Sequence, residues 1–156
     1  MKATLAVCIV AGALAPQDVW AQCVLFPAPQ LVADARQKAS LIFSGVMVDQ
    51  TSLGRGTSLG LGQRLSFDVD GVWKGDLTNR AVFFRIDYSE ARRFVVGQRY
   101  VVFAYPETEQ VRAFFKEVDA NPTEVLYLGS FCDTATFAEA EQRGYVPELG
   151  PSRPPR

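Results

Sequence analysis

Hydrophobic and polar residues alternate most clearly in the stretch "RLSFDVDGVWKGDL", which begins at Arg64. Leu65, Phe67 and Val69 fall on one face of an extended chain, with polar residues between them. The same parity places Trp73 on the apolar face. The pattern predicts a half-buried strand with its indole in the core. An exposed indole that binds a partner is the alternative interpretation.

Other apolar runs predict the remaining strands, which cover residues 41–49, 81–86, 97–105, 111–118 and 123–131. The first of these runs is apolar on both faces, which indicates a strand covered on both sides. Residues 50–63 hold four glycines but lack the Gly-Lys-Ser/Thr ending of a phosphate-binding loop, so a flexible hairpin loop is predicted there. Because strand follows strand, the series favours a small antiparallel barrel or sandwich.

Two short helices are predicted, one on each side of these strands. Within residues 27–40, Pro29 suits a first helical position and apolar residues recur on one face. The second helix is "TFAEAEQRG", in which Thr136 and Glu139 form a capping box and Gly144 supplies a left-handed stop. The predicted fold is therefore mainly β, with a short N-terminal helix and a C-terminal helix.

Residues 1–21 have the layout of a secretory signal peptide. Lys2 precedes an apolar run that is too short to span a bilayer. Val19 and Ala21 suit the positions three and one before a cleavage site, so cleavage is predicted after Ala21, with Ala15 as the second candidate. We therefore expect a secreted or periplasmic protein.

Cleavage after Ala21 leaves two of the three cysteines, Cys23 and Cys132. In an exported protein a disulfide is the simplest use of such a pair. A metal pair is the alternative, although a chain without histidine makes a poor zinc site. Lipid attachment at Cys23 is disfavoured because Gln22 precedes it, where that processing requires a small residue.

Length and charge narrow the classes of function. The 156 residues suggest one domain, over 22–149, followed by a disordered Pro/Arg tail over 150–156. A formal net charge of −1 gives no attraction to nucleic acid or to an anionic membrane. Adjacent phenylalanines at 83–84 and 114–115 send one ring to each face, which also disfavours a nucleic-acid-stacking surface. No second apolar stretch predicts a transmembrane segment.

The candidate chemistry is sparse. Without histidine the chain lacks the usual general base, and serine triads are excluded. Three carboxylate pairs remain, and they are Asp68 with Asp70, Asp87 with Glu90, and Glu107 with Glu109. We interpret these pairs as a solvated outer face, with a calcium site at the first pair left open. No catalytic, cofactor-binding or metal-binding residue is assigned, and no cofactor is expected.

The order of four pieces resembles that in one known family. "LIFSGVMV", "FDVDGVWKG", "FVVGQRYVVFA" and "CDTATF" follow one another as in bacterial members of the tissue-inhibitor-of-metalloproteinases superfamily. The likeness runs from about Cys23 to Tyr145 and implies a netrin-like OB fold, a small antiparallel barrel. It also implies that Trp73 closes one barrel end and that Cys23 pairs with Cys132.

The departures from the family pattern concern its inhibitory mechanism. Family members commonly start with Cys-x-Cys, whereas Ala21 stands at the first of these positions, and Glu90 and Ala91 replace a later cysteine with its glycine. Both halves of one family disulfide are therefore missing. The animal inhibitors chelate the protease zinc through the amine and carbonyl of that first cysteine. Here Gln22 would be the new N-terminus, and it can cyclise, so the resemblance implies the fold and not the inhibition.

We expect an exported, non-catalytic and monomeric protein-binding module whose partner is an exported protease or a cell-envelope protein. The candidate interface comprises Gln22, Cys23, Val24, Leu25 and Phe26. The alternative is a structural or assembly protein of the envelope that binds no small ligand. An exposed apolar patch near Cys23 and the strand ends favours the binding module, and a uniformly polar surface favours the alternative.

Overall fold

A computed structural model describes residues 27–53, 61–87, 94–106, 108–109, 112–113, 126–128 and 135–156. The helices that lie wholly within these ranges are α1 (Ala28–Lys38), α2 (Phe137–Gln142) and α3 (Tyr145–Leu149). The strands are β1 (Leu41–Ser52), β2 (Leu61–Lys74), β3 (Arg80–Asp87), β4 (Arg99–Pro106), β5 (Leu126–Leu128) and β6 (Ala135–Thr136). The predicted mainly β class, with short helices at both ends, is confirmed.

Within the described residues the strands form a small barrel of OB type. The neighbour order is β1-β2-β3-β5-β4, and β4 also pairs with β1. These pairings are antiparallel except between β3 and β5, which are parallel and meet at the single pair Phe84 and Tyr127. The barrel is therefore only partly closed at this seam, as is common for OB folds. The short β6 extends the sheet beside β4.

Aromatic rings fill the barrel interior. Phe43 stacks on Phe83 with ring centroids 4.9 Å apart, and Phe67 meets Phe43 edge-on at 5.6 Å. Phe94 and Tyr100 extend this cluster toward one end of the barrel. Such ring pairs stabilise a core beyond the area they bury. Leu65 and Val69, from the alternating stretch, point into the same interior, as predicted.

A second core lies on the outer face of the barrel, beneath the helices. Ile42 of β1 and Phe103 of β4 point outward and are fully buried there. The helical residues that cover them are Leu31, Val32, Ala35, Ala140, Tyr145 and Leu149. Strand β1 is thus buried on both faces over its first half, which explains its uninterrupted apolar run.

The helix boundaries follow their capping residues. Thr136 Oγ1 accepts from the Glu139 amide at 3.2 Å, and the Glu139 carboxylate accepts from the Thr136 amide at 3.0 Å, so the predicted capping box is confirmed. Gly144 has a φ of 80°, as a left-handed stop requires. A further helix, α3, follows at once, and Pro147 lies in its first turn, where a proline costs no intrahelical bond.

Two local predictions need correction. Residues 112–113 are helical, and the Arg112 amide donates to the Thr108 carbonyl at 2.9 Å, where the apolar run at 111–118 predicted a strand. A short apolar run has no clear period of its own that would distinguish a strand from a helix. Residues 111 and 114–118 of that run lie outside the described residues. The glycine-rich loop is also shorter than residues 50–63, since β1 continues to Ser52 and β2 begins at Leu61.

Candidate functional site

Strand β2 does not keep strict alternation to its end. Gly45 of β1 pairs with Val69, and its neighbour Ser44 pairs with Gly71, so Asp70 is an extra residue in β2. An extra residue is a β-bulge, which shifts the phase of the side chains that follow. Val72, rather than Gly71, is therefore the next side chain in the barrel core.

Trp73 consequently lies outside the barrel interior. Trp73 is a second extra residue of β2, because the adjacent β1 residues Phe43 and Ile42 pair with Val72 and Lys74. The indole packs against the second core, and its Nε1–H donates to the Gly150 carbonyl at 2.8 Å. The prediction that Trp73 shares the face of Leu65 was wrong, because parity counting carries no information about bulges. A partly buried indole needs such an acceptor.

Residues 150–156 lie against β2, which corrects the prediction of a disordered tail. Val72 and Arg153 exchange two backbone hydrogen bonds, of 2.8 and 2.9 Å. The Arg156 amide donates to the Leu77 carbonyl at 2.9 Å. Strand β3 pairs with β2 only as far as Asp68. Beyond that residue the same edge of β2 is open, and residues 150–156 pair with it there. Proline-rich composition forms no core of its own, but an open strand edge supplies partners for its backbone.

Side chains fix the position of this segment. A Cβ atom on Gly71 would lie 2.8 Å from Ser152 Oγ. Ser152 can therefore approach the strand closely because Gly71 has no side chain. Arg153 Nη2 donates to the Gly75 carbonyl and to Asp76 Oδ1, the latter at 2.8 Å. Gly71, Val72, Trp73, Gly75 and Asp76 together form what we call the β2 edge site.

A polar cluster adjoins the β2 edge site at the first bulge. Ser44 is 1% exposed, and its hydroxyl donates to Asp70 Oδ1 at 2.5 Å. Arg99 Nη2 donates to the same oxygen at 2.9 Å, and Nε lies 2.7 Å from Oδ2. The guanidinium also lies 3.6 Å above the Phe137 ring. This cluster joins β1, β2 and β4 to α2, which indicates a structural role for Asp70.

The two carboxylates considered as calcium ligands, Asp68 and Asp70, each lie near a different arginine. Asp70 faces Arg99, while Asp68 lies 3.9 Å from Arg80. The described part of the chain holds no group of three acidic or cysteine residues that could hold a metal ion. The other two carboxylate pairs include Glu90 and Glu107, which lie outside the described residues.

A turn just before β4 exposes two apolar side chains. Val95 and Val96 are each 58% exposed. Hydrogen bonds hold the turn. The Gly97 amide donates to the Met47 carbonyl and the Met47 amide to the Gln98 carbonyl, while the Gln98 amide donates to the Val95 carbonyl and the Val95 amide to the Tyr100 hydroxyl. We call residues 94–98 the valine turn. The glycine that opens this strand was predicted, and its φ of 86° fits the turn.

A polar layer anchors the start of the valine turn. Arg85 is 6% exposed, and its guanidinium carbon lies 5.0 Å from the centroid of the Phe94 ring. Its register partner Gln63 has a buried Oε1 with no hydrogen-bond partner in the described part of the chain. Neither residue was predicted from the sequence to have a role, since both fall at polar positions next to loops. The polar partner of Phe94 in the described structure is thus a buried arginine.

The residues chosen from the sequence as interface and disulfide lie outside the described ranges. These residues are Gln22, Cys23, Val24, Leu25, Phe26 and Cys132. The signal peptide over 1–21 also lies outside them, so these assignments stay predictions. In the part of the chain that the structure describes, no helix is long and apolar enough to cross a membrane.

No family model matches the chain, and a search of curated proteins found no match. The likeness to the inhibitor superfamily therefore stays an expectation that rests on the sequence motifs.

Proposed function

We propose that this protein is an exported, non-catalytic binding module, secreted or periplasmic, whose partner is an exported protease or a cell-envelope protein. No cofactor takes part. The observation that carries the proposal is the valine turn, where two adjacent valines at a strand end are each 58% exposed.

The turn has the properties of a preorganised contact. Its backbone is held by bonds to Met47 and Tyr100, so little conformational entropy remains to be lost on binding. Scattered exposed apolar residues are ordinary on protein surfaces, but an adjacent pair on a fixed turn offers a continuous apolar contact. Charged residues are depleted at the centres of protein interfaces, which suits this pair of side chains.

The test compares partner capture by three forms of the processed protein, exported from a host that removes the signal peptide. These forms are the natural chain, the double variant V95S/V96S and the matched control Val82→Ser. Val82 is 39% exposed on β3, so the control removes a similar side chain from another surface. Thermal unfolding of all three forms shows whether each keeps its fold.

We expect at least one envelope protein to bind the natural chain and the Val82→Ser control but not V95S/V96S. Capture of the same proteins by all three forms would reject the valine turn as the contact. Capture of none would favour the alternative, a structural or assembly protein of the envelope.

A further inference from the structure

We propose that the β2 edge site is a docking site for an extended peptide of a partner protein, with a small residue followed directly by arginine. Residues 150–156 occupy this site within the same chain and thereby show which chemistry it accepts. The proposal is independent of the valine turn, because the two surfaces share no residue.

The edge of β2 at Val72 is free of β3 and can accept an added strand. Val72 directs both its amide and its carbonyl to Arg153, with distances of 2.8 and 2.9 Å. Backbone bonds of this kind form with any extended segment, whatever its side chains. The edge therefore supplies affinity for an added strand, and specificity has to come from neighbouring groups.

Groups next to Val72 select the side chains of the added strand. Ser152 packs directly over Gly71, where a Cβ atom would lie 2.8 Å from its Oγ, and this close approach favours a small residue at that position. The next residue, Arg153, reaches the Gly75 carbonyl and the Asp76 carboxylate. Arg156 adds a second contact to Asp76, at 3.3 Å. Gly150, whose carbonyl accepts from the Trp73 indole, lies two residues before Ser152.

Residues 151–156 can leave the β2 edge site without disturbing the helices. Leu149 is 3% exposed, and its carbonyl accepts from Arg36 Nη2 at 2.7 Å, so α3 is held up to that residue. Gly150 follows with a φ of 70°, and, adjacent residues aside, no atom of the described residues lies within 4 Å of the position that a Cβ would take there. Beyond Gly150 the segment is largely exposed, and its arginine contacts are surface ion pairs, which contribute little stability. Local opening of such a segment costs far less than unfolding.

The probe is a blocked, labelled peptide GPSRPPR, which copies residues 150–156, and its binding is measured by fluorescence anisotropy. The receptors are the natural full-length mature chain and its variant Arg153→Pro. Proline removes the amide that donates to Val72, so it frees the edge without shortening the chain. The control peptide GPRSPPR has the same composition but places arginine over Gly71.

We expect Arg153→Pro to bind GPSRPPR about tenfold or more tightly than the natural chain, whose site is occupied for most of the time. Adding Asp76→Asn to that variant should weaken binding, and GPRSPPR should bind poorly to every form. Equal binding by the natural chain and Arg153→Pro, or equal binding of both peptides, would overturn the proposal.

A second measurement applies if Arg153→Pro fails to fold. Excess GPSRPPR added to the natural chain should accelerate hydrogen exchange at the Arg153 amide, because the segment is displaced. The Val72 amide should stay protected, because the peptide replaces the lost partner. Unchanged exchange at Arg153 under saturating peptide would overturn the proposal, and so would loss of protection at both amides.

Discussion

The indole Nε1–H of Trp73 donates to the carbonyl oxygen of Gly150 at 2.8 Å. This bond joins the end of β2 to the segment that runs back along its edge. The tryptophan at the strand exit therefore belongs neither to the barrel interior nor to an exposed binding surface. It packs beneath the helices and holds the start of residues 150–156 in place.

The first prediction separates the packing of Trp73 from its hydrogen bond. Trp73→Ala should lower the free energy of unfolding by about 2 kcal/mol, less than for a fully buried aromatic because the indole is only partly covered. Trp73→Phe keeps much of the packing and should cost about 1 kcal/mol. Urea denaturation measures both values. A loss near zero for both variants would show that the indole does not support the fold.

The second prediction concerns the room above Gly71. Gly71→Val should displace Ser152, because even a Cβ would lie 2.8 Å from Ser152 Oγ and from Ser44 Oγ. Hydrogen exchange at the Arg153 amide should then become fast. Ser152→Ala, which keeps a small side chain, is the matched control and should leave the exchange slow. Slow exchange at the Arg153 amide in Gly71→Val would show that residues 150–156 do not pack over Gly71.

The third prediction concerns the polar cluster at the bulge. Asp70→Ala should cost about 1–2 kcal/mol of unfolding free energy, because it leaves the buried Ser44 hydroxyl without its acceptor. The double variant S44A/D70A should cost less than the sum of the single changes, by about 1 kcal/mol. Asp68→Ala removes an exposed ion pair and should cost below about 0.5 kcal/mol. Additive losses at Ser44 and Asp70 would contradict the coupling.

The fourth prediction concerns processing. The intact mass of the exported protein should correspond to a chain that begins at Gln22, as the free or the cyclised residue. Cys23 and Cys132 should be bonded, so thiol titration under denaturing, non-reducing conditions should find no free thiol. Two free thiols in protein taken from an oxidising compartment would reject the disulfide.

The fifth prediction is that the protein does not inhibit zinc proteases by chelating the metal through its N-terminus. That mechanism needs a free amine on a residue pinned by a disulfide, and the sequence has Ala21 and Glu90 where the family has cysteines. A panel of zinc proteases assayed with N-terminally sequenced protein tests this prediction. Tight inhibition that is lost when one residue is added before Gln22 would contradict it.

Much of the barrel was predictable, because its signals are local. Leu65, Phe67 and Val69 alternate with polar residues, and the same side chains line the interior. The capping box of Thr136 and Glu139 was predictable for the same reason, since its two bonds join residues three apart.

The β2 edge site was not predictable, because it depends on register and on distant partners. The extra residues at Asp70 and Trp73 appear only when β2 is aligned with β1, so parity counting placed the indole on the wrong face. Residues 150–156 were predicted to be disordered because their sequence has no local pattern typical of a helix or a strand. Their order comes from Val72, which is far away in the sequence.

One solution measurement decides whether residues 150–156 pair with the edge of β2. In the NMR spectrum of the mature natural chain, the amides of Val72 and Arg153 should show a cross-strand nuclear Overhauser effect, because the two residues exchange both backbone hydrogen bonds. Both amides should also be protected from hydrogen exchange. Absence of this contact, together with fast exchange at Arg153, would show that the segment does not pair with β2.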